Sequence, residues 1–139
     1  MKTDLKELAF PVLCFSQGTL VTARSGQDLT RCSRKAFAGG YFGKLRLVDA
    51  NRICYQAGSV QIVSIGFLGK IRAILTGQVE IEFQGIVRES EISLGALKER
   101  VCGVIEADQD FWSSVGDVQE LADEVRQAKS YEEIAEMFV

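Results

Sequence analysis

The chain has 139 residues, 25% of them charged and 47% hydrophobic, with a net charge of −3 and no histidine. That length and balance fit one soluble domain with a real hydrophobic core. Without histidine there is no Ser-His-Asp or Cys-His catalysis and no histidine-ligated metal, so an enzyme here needs carboxylate, lysine or tyrosine chemistry.

Asp4-Leu5-Lys6-Glu7 has the form of a capping box, which predicts a short helical turn over Leu5, Leu8 and Ala9 that Pro11 stops. Val12–Ser16 and Thr19–Ala23 read as two strands around a tight turn at Gln17-Gly18. From Arg24 to Gly40 the character changes. Ser33 is placed to cap a short helix through Phe37, and Gly39-Gly40 would end it in the left-handed conformation.

Lys44–Gln56 predicts the central hairpin. Leu45 and Leu47 alternate with Lys44 and Arg46, and Ile53 and Tyr55 alternate with Arg52, Cys54 and Gln56. Asp49-Ala50-Asn51 suits a three-residue loop closed by a left-handed residue, which Asn tolerates. With that loop Leu47 faces Ile53 and Leu45 faces Tyr55, leaving Lys44, Arg46 and Arg52 on a cationic opposite face. Ser59–Ile65 reads as a further strand. In Ser64–Gly69 the pair Phe67-Leu68 between glycines reads as a tucked-in turn or, less often, a mobile lid.

Gln78–Gln84 alternates throughout, with Val79, Ile81 and Phe83 on one face. A three-residue loop Thr76-Gly77-Gln78 aligns Ile71, Ala73 and Leu75 with those three and sets Arg72 opposite Glu82. The last third switches period. Leu94, Leu97, Val101, Val104 and Ile105 lie on one helical face behind Ser93 as cap. Ser114–Asp117 has the S-x-x-D form before Val115, Val118, Leu121, Ala122 and Val125, and Ser130–Glu133 is a capping box before Ile134, Ala135 and Phe138. The expected fold is therefore α+β: a mainly antiparallel sheet over about residues 10–87, then three helices packed on it as one domain. Trp112, in the link between the first two helices, is expected to anchor the core, with Phe111 facing away.

Motifs that would carry chemistry are weak. Cys14, Cys32, Cys54 and Cys102 form no C-x-x-C pair, so neither zinc nor a disulfide framework is expected. The glycine-rich stretch Gly39–Lys44 precedes a strand and lacks the P-loop spacing, which argues against a nucleotide. Glu106–Asp110 resembles the start of a calcium loop but has no glycine at the sixth position and Asp117 instead of glutamate at the twelfth, so a solvated helix end is expected. Glu80 and Glu82 share a strand face that could serve acid/base work, but cross-strand pairing explains Glu82 more simply. No metal or cofactor is expected.

The net charge conceals a division. Up to Arg88 there are 12 Lys and Arg against 6 Asp and Glu; from Glu89 onward there are 4 against 13. Either the acidic third docks on the basic part, or one of them meets a partner. Arg31, Arg34, Lys35 and Arg46 with Tyr41 and Phe42 are the candidate partner-binding residues, and they favour a protein partner with an acidic surface. The whole Arg24–Arg52 segment, with its cations and rings, also suits single-stranded nucleic acid. The pI of about 5.1 runs against that alternative.

The strand pair LRLVDANRICY, the LGALKERVCGVI helix, the Trp link and the closing AKSYEEIAEM helix together resemble a class of small bacterial proteins. The likeness covers most of the chain, rests on patterning, and brings neither an activity nor site residues with it. Small, catalytically empty bacterial proteins resemble immunity proteins, which bind and block a toxin; by analogy that implies a protein partner. The expected function is a non-enzymatic, cytoplasmic protein-binding module of toxin-neutralising or regulatory kind. Nucleic-acid association is second, and a carboxylate- or lysine-based enzyme third.

Overall fold

The strand Val12–Ser16 is buried at every position, so both faces of the sheet around it are covered. Leu13 and Phe15 enter one apolar cluster and Val12 and Cys14 another. In the computed structural model, which describes residues 2–3, 5–16, 18–33, 45–58, 60–62, 78–83 and 85–139, this strand is β2. The others are β1 (Lys2–Thr3), β3 (Thr19–Ala23), β4 (Arg31–Ser33), β5 (Arg46–Val48), β6 (Ile53–Ala57), β7 (Val60–Ile62), β8 (Gln78–Phe83) and β9 (Ile86–Glu91). A six-stranded antiparallel sheet has the order β1-β9-β6-β5-β2-β3, and a three-stranded one the order β4-β8-β7. Helices follow in the last third, so the fold is α+β as expected.

The β2–β3 hairpin turns where predicted: Ser16 pairs with Thr19, and Gly18 takes φ 79°. The central hairpin keeps its predicted loop length but moves it by one residue. Asp49 N–H donates to Ile53 O at 3.1 Å, the loop is Ala50-Asn51-Arg52, and the left-handed residue is Arg52 at φ 60°. Leu47 therefore faces Tyr55, not Ile53. The cause is the Asp49 carboxylate, which accepts Asn51 N–H at 3.0 Å and Ile53 N–H at 3.1 Å and so claims the loop's donors for itself. Pairing shifts by an even step, so the apolar face survives: Leu45, Leu47, Ile53 and Tyr55 all reach the same cluster. The opposite face is not the cationic one expected, because Val48 and Cys54 on it are buried under helices.

Two short elements precede the expected Ser33-capped helix, whose body beyond Ser33 lies outside the described residues. Helix α1 (Gly26–Thr30) comes first, its entry tied by Arg24 N–H to Asp28 Oδ2 at 2.9 Å, and Ser33 then lies in β4. Phe37, Gly39 and Gly40 lie outside the described residues, as do the Ile71–Leu75 strand, Arg72 and the Ser64–Gly69 turn. One edge of β8 carries β4 over Gln78–Glu80, and the other carries β7 over Ile81–Phe83. The sheet also runs further than expected, since β9 continues to Glu91 between β6 and β1. Only Ile86 of that strand is buried, so its sequence lacks the apolar alternation that announces a strand.

After a register shift between Ile53 and Tyr55, the pairing of β6 with β9 and of β7 with β8 keeps one common offset. Ala57 faces Ile86, Gly58 N–H donates to Gly85 O at 2.7 Å, and Val60 faces Phe83. In a flat ribbon Ala57 and Val60 would point to opposite faces. Here both reach the same cluster, as do Ile81 and Ile86, so the ribbon twists about its own axis at the glycine pair. A Cβ on Gly58 would lie 2.5 Å from the Gly85 carbonyl oxygen, so the close approach requires glycine. The twist, with Leu29 of α1, closes the strand-side cluster around Val12, Cys14, Leu47 and Tyr55.

The other face is covered by helices α2 (Leu94–Ala107), α3 (Gln109–Ser113), α4 (Val118–Gln127) and α5 (Tyr131–Met137). Ser93 and Ser130 cap as predicted, accepting Ala96 N–H and Glu133 N–H. Ser114 does not start a helix: Asp117 caps α4 three residues later, and Val115 is left exposed. Leu97, Val101, Ile105, Val125 and Ile134 fill the cluster against Leu13 and Val48. Tyr131 crosses it to the backbone of two strands, accepting Leu13 N–H at 3.0 Å with Pro11 O and Val48 O each 2.7 Å from its hydroxyl. The outer strand β3 is held by the end of α5: Thr22 N–H donates to Phe138 O at 2.9 Å and Thr22 Oγ1 to Ala135 O at 2.6 Å.

Candidate functional site

Among the described residues the polar groups deepest in the molecule serve the fold. Asp49 is 1% exposed, and beside its loop bonds it accepts Ala9 N–H at 3.2 Å and the Tyr55 hydroxyl at 3.4 Å. A buried carboxylate holding that many donors is satisfied and clamps the chain before β2 onto the central hairpin. Burial first, and then the Asp49 charge, push the Tyr55 phenol up. Burial likewise pushes the Tyr131 phenol up, so both rings stay neutral donors. Glu80 and Glu82, the carboxylate pair weighed for acid/base work, are both exposed, with Arg31 and Gln61 as their ladder partners.

Of the predicted partner-binding residues, Arg46 alone has a described side chain. It stands exposed at the start of β5 between Phe15 and Gln56, and its guanidinium meets Glu89 at 3.3 Å. Arg31 lies in β4, and Arg34, Lys35, Tyr41 and Phe42 lie outside the described residues. Arg24, also in the basic part, lies 3.8 Å from Glu136 of α5. Acidic helices thus touch the basic part through an exposed pair, while apolar packing carries the docking.

A groove of about 240 Å³ runs between α2 and α4, lined by Lys98, Glu99, Cys102, Gly103, Glu106 and Arg126. Among the described residues, three of its four charged side chains have partners. Arg126 bonds Glu106 at 3.0 Å and Asp123 at 3.3 Å, while Lys98 Nζ donates to Arg126 O. Burial pushes the Cys102 thiol up, and it points to Ala122 O at 3.7 Å. That environment keeps a thiol protonated and unreactive.

The α2–α4 surface differs from all of these. From Glu106 to Glu124 there are seven carboxylates and no cation. All seven are exposed. Asp108 caps α3 through Phe111 N–H and Asp117 caps α4 through Glu120 N–H, while Asp110, Glu120 and Glu124 have no ion-pair partner among the described residues. In the middle stand two apolar side chains, Phe111 at 44% exposure and Val115 at 64%. Phe111 meets the Trp112 ring edge-on at 5.1 Å, and Trp112 meets Phe138 edge-on at 5.7 Å, so an exposed ring is rooted in the helix-side core. Trp112 is buried as expected, its indole N–H without a partner among the described residues.

Sequence reasoning placed Trp112 in the core and Phe111 away from it, but passed over the surface that results. The signal was the acidic run, which reads equally well as an ordinary solvated helix end. Only the exposure of Val115, which the helical spacing placed on a buried stripe, separates the two readings. No group of His, Cys, Asp and Glu suited to a metal ion occurs among the described residues, the Glu106–Asp110 run included. No helix among the described residues is long and apolar enough to cross a membrane. The chain matches no protein-family model, no curated protein and no solved structure.

Proposed function

We propose that the chain is a non-enzymatic protein-binding module, of toxin-neutralising or regulatory kind, that presents its helical layer to a partner. The observation that carries this reading is the exposed Phe111 ring, with exposed Val115 four residues on, in a layer whose Leu97, Val101, Ile105, Val125 and Ile134 are drawn into the core. Rigid aromatic side chains with buried roots are the kind that anchor protein interfaces, because little side-chain freedom is lost on contact. The ring is ordered by Trp112 behind it and by the Asp108 cap beneath it.

The test is a photo-cross-linking amino acid in place of Phe111 in the full chain, compared with one in place of exposed Gln56 on β6. Discrete protein adducts from position 111 and none from position 56 are expected in cells that make the protein. If neither position yields a protein adduct, and the chain is instead retained on single-stranded DNA, the nucleic-acid reading replaces this one.

A further inference from the structure

Resting on that reading, we infer that the Phe111–Val115 surface takes a cationic protein segment, one that sets an apolar side chain on Phe111 and lysine or arginine side chains against the surrounding carboxylates. The argument is one of charge that the fold leaves unanswered. Asp108 and Asp117 each use one oxygen, Oδ1, as a helix cap, and Arg126 is committed to Glu106 and Asp123 at the far side of the groove. In sequence Asp110 and Glu120 stand on either side of the apolar pair, both exposed and without an ion-pair partner among the described residues.

So many like charges over one stretch repel one another, and a counter-charged partner relieves that repulsion while steering its own approach. An anionic partner would face the same repulsion, which excludes nucleic acid from this surface. A bare polycation would leave Phe111 and Val115 in water and gain nothing from them. An amphipathic cationic segment satisfies both halves of the surface. Its cations at the rim set the rate of association, and its apolar residue at Phe111 sets the lifetime.

Three synthetic peptides of equal length serve as probes, one of Lys and Leu in amphipathic order, one of Lys and Ser, and one of Glu and Leu. They are titrated into the full chain by calorimetry at low and high salt. The Lys/Leu peptide is expected to bind at least about tenfold more tightly than either other, the size of effect a well-seated aromatic anchor gives. Phe111→Ala should lose about that factor while the chain stays folded at the assay temperature, its melting temperature lowered only by the loss of the edge-on contact with Trp112. The double change Asp110→Asn, Glu120→Gln should weaken binding and flatten its salt dependence.

Equal binding of the Lys/Ser peptide would mean bare counter-charge and overturn the inference, as would preference for the Glu/Leu peptide or no binding of the Lys/Leu one. Self-association that Phe111→Ala abolishes would make the occupant a second copy, which also overturns it. The broader reading is judged separately. If the position-111 adduct forms equally well in the Asp110→Asn, Glu120→Gln background and at high salt, the cationic partner falls while protein binding stands. If no adduct forms, protein binding through this layer falls whatever the peptides do.

Discussion

The two sides of β2 are filled by different means. On the helix side Leu13 and Phe15 meet residues from α2 to α5, brought in by helices whose apolar stripes are written in their own sequences. On the strand side Val12 and Cys14 meet Leu47, Tyr55, Ile81 and Ile86, brought in by a ribbon that turns over at Gly58 and Gly85. One side depends on what each segment carries locally. The other depends on a single place where two backbones come together, and substitutions should separate the two.

The largest effect is expected on the helix side. Trp112→Ala should cost about 3–5 kcal/mol in denaturant unfolding, the range for emptying a buried aromatic site. Trp112→Phe should cost far less, since it also removes an indole N–H that has no partner among the described residues. An unchanged midpoint in Trp112→Ala would show that the helical layer does not depend on its aromatic stack.

Alkaline pH tests the strand side. Burial is the main cause that pushes the Cys14 thiol from 9.0 up to about 12, and Asp28 adds to it against the backbone bond to Ala23. The folded chain therefore keeps a proton that the unfolded chain loses. Stability holds below pH ~9 and falls as pH rises toward ~12, by up to ~4 kcal/mol from this group. The Tyr131 and Tyr55 phenols, also raised by burial, act in the same direction at higher pH. Unfolding midpoints across that window should fall in the wild type and flatten in Cys14→Ala; parallel curves would remove the thiol from the account.

Gly58→Ala sharpens the contrast further. The new methyl would sit 2.5 Å from the Gly85 carbonyl oxygen, and backbone cannot yield as a side-chain end does. A loss of about 3 kcal/mol is expected, with Ile81 and Ile86 amides losing hydrogen-exchange protection before those of α2. Uniform loss across both regions would show that the two sides unfold as one. Tyr131→Phe spans both and should cost about 1–3 kcal/mol by leaving Leu13 N–H unpaired. Arg46→Ala should change stability within about 0.5 kcal/mol, because its pair with Glu89 is open to water.

What could be read in advance follows the same division. The helical stripes and the Ser93 and Ser130 caps were legible because helix signals repeat every turn and concern neighbours in sequence. The face of the central hairpin was legible too, and its register was not, because Asp49 took the loop donors that a simple turn would have left to water. Strand β4 was missed entirely: its partners at Gln78–Glu80 lie far along the chain, and nothing local announces them. The twist at Gly58 and Gly85 is a relation between two glycines, each unremarkable alone. The candidate surface was half legible, as an acidic run without its apolar centre.

The contact between α5 and β3 has a consequence for colony and test tube alike. A strand at the rim of a sheet offers unpaired backbone to any other chain, and β3 adds Val21 at 49% exposure. Phe138 O occupies the Thr22 N–H and Ala135 O its hydroxyl, so the last helix works as a guard on that rim. Variants that loosen α5 should therefore aggregate through β3 before they lose much secondary structure, with expression yield falling ahead of helicity.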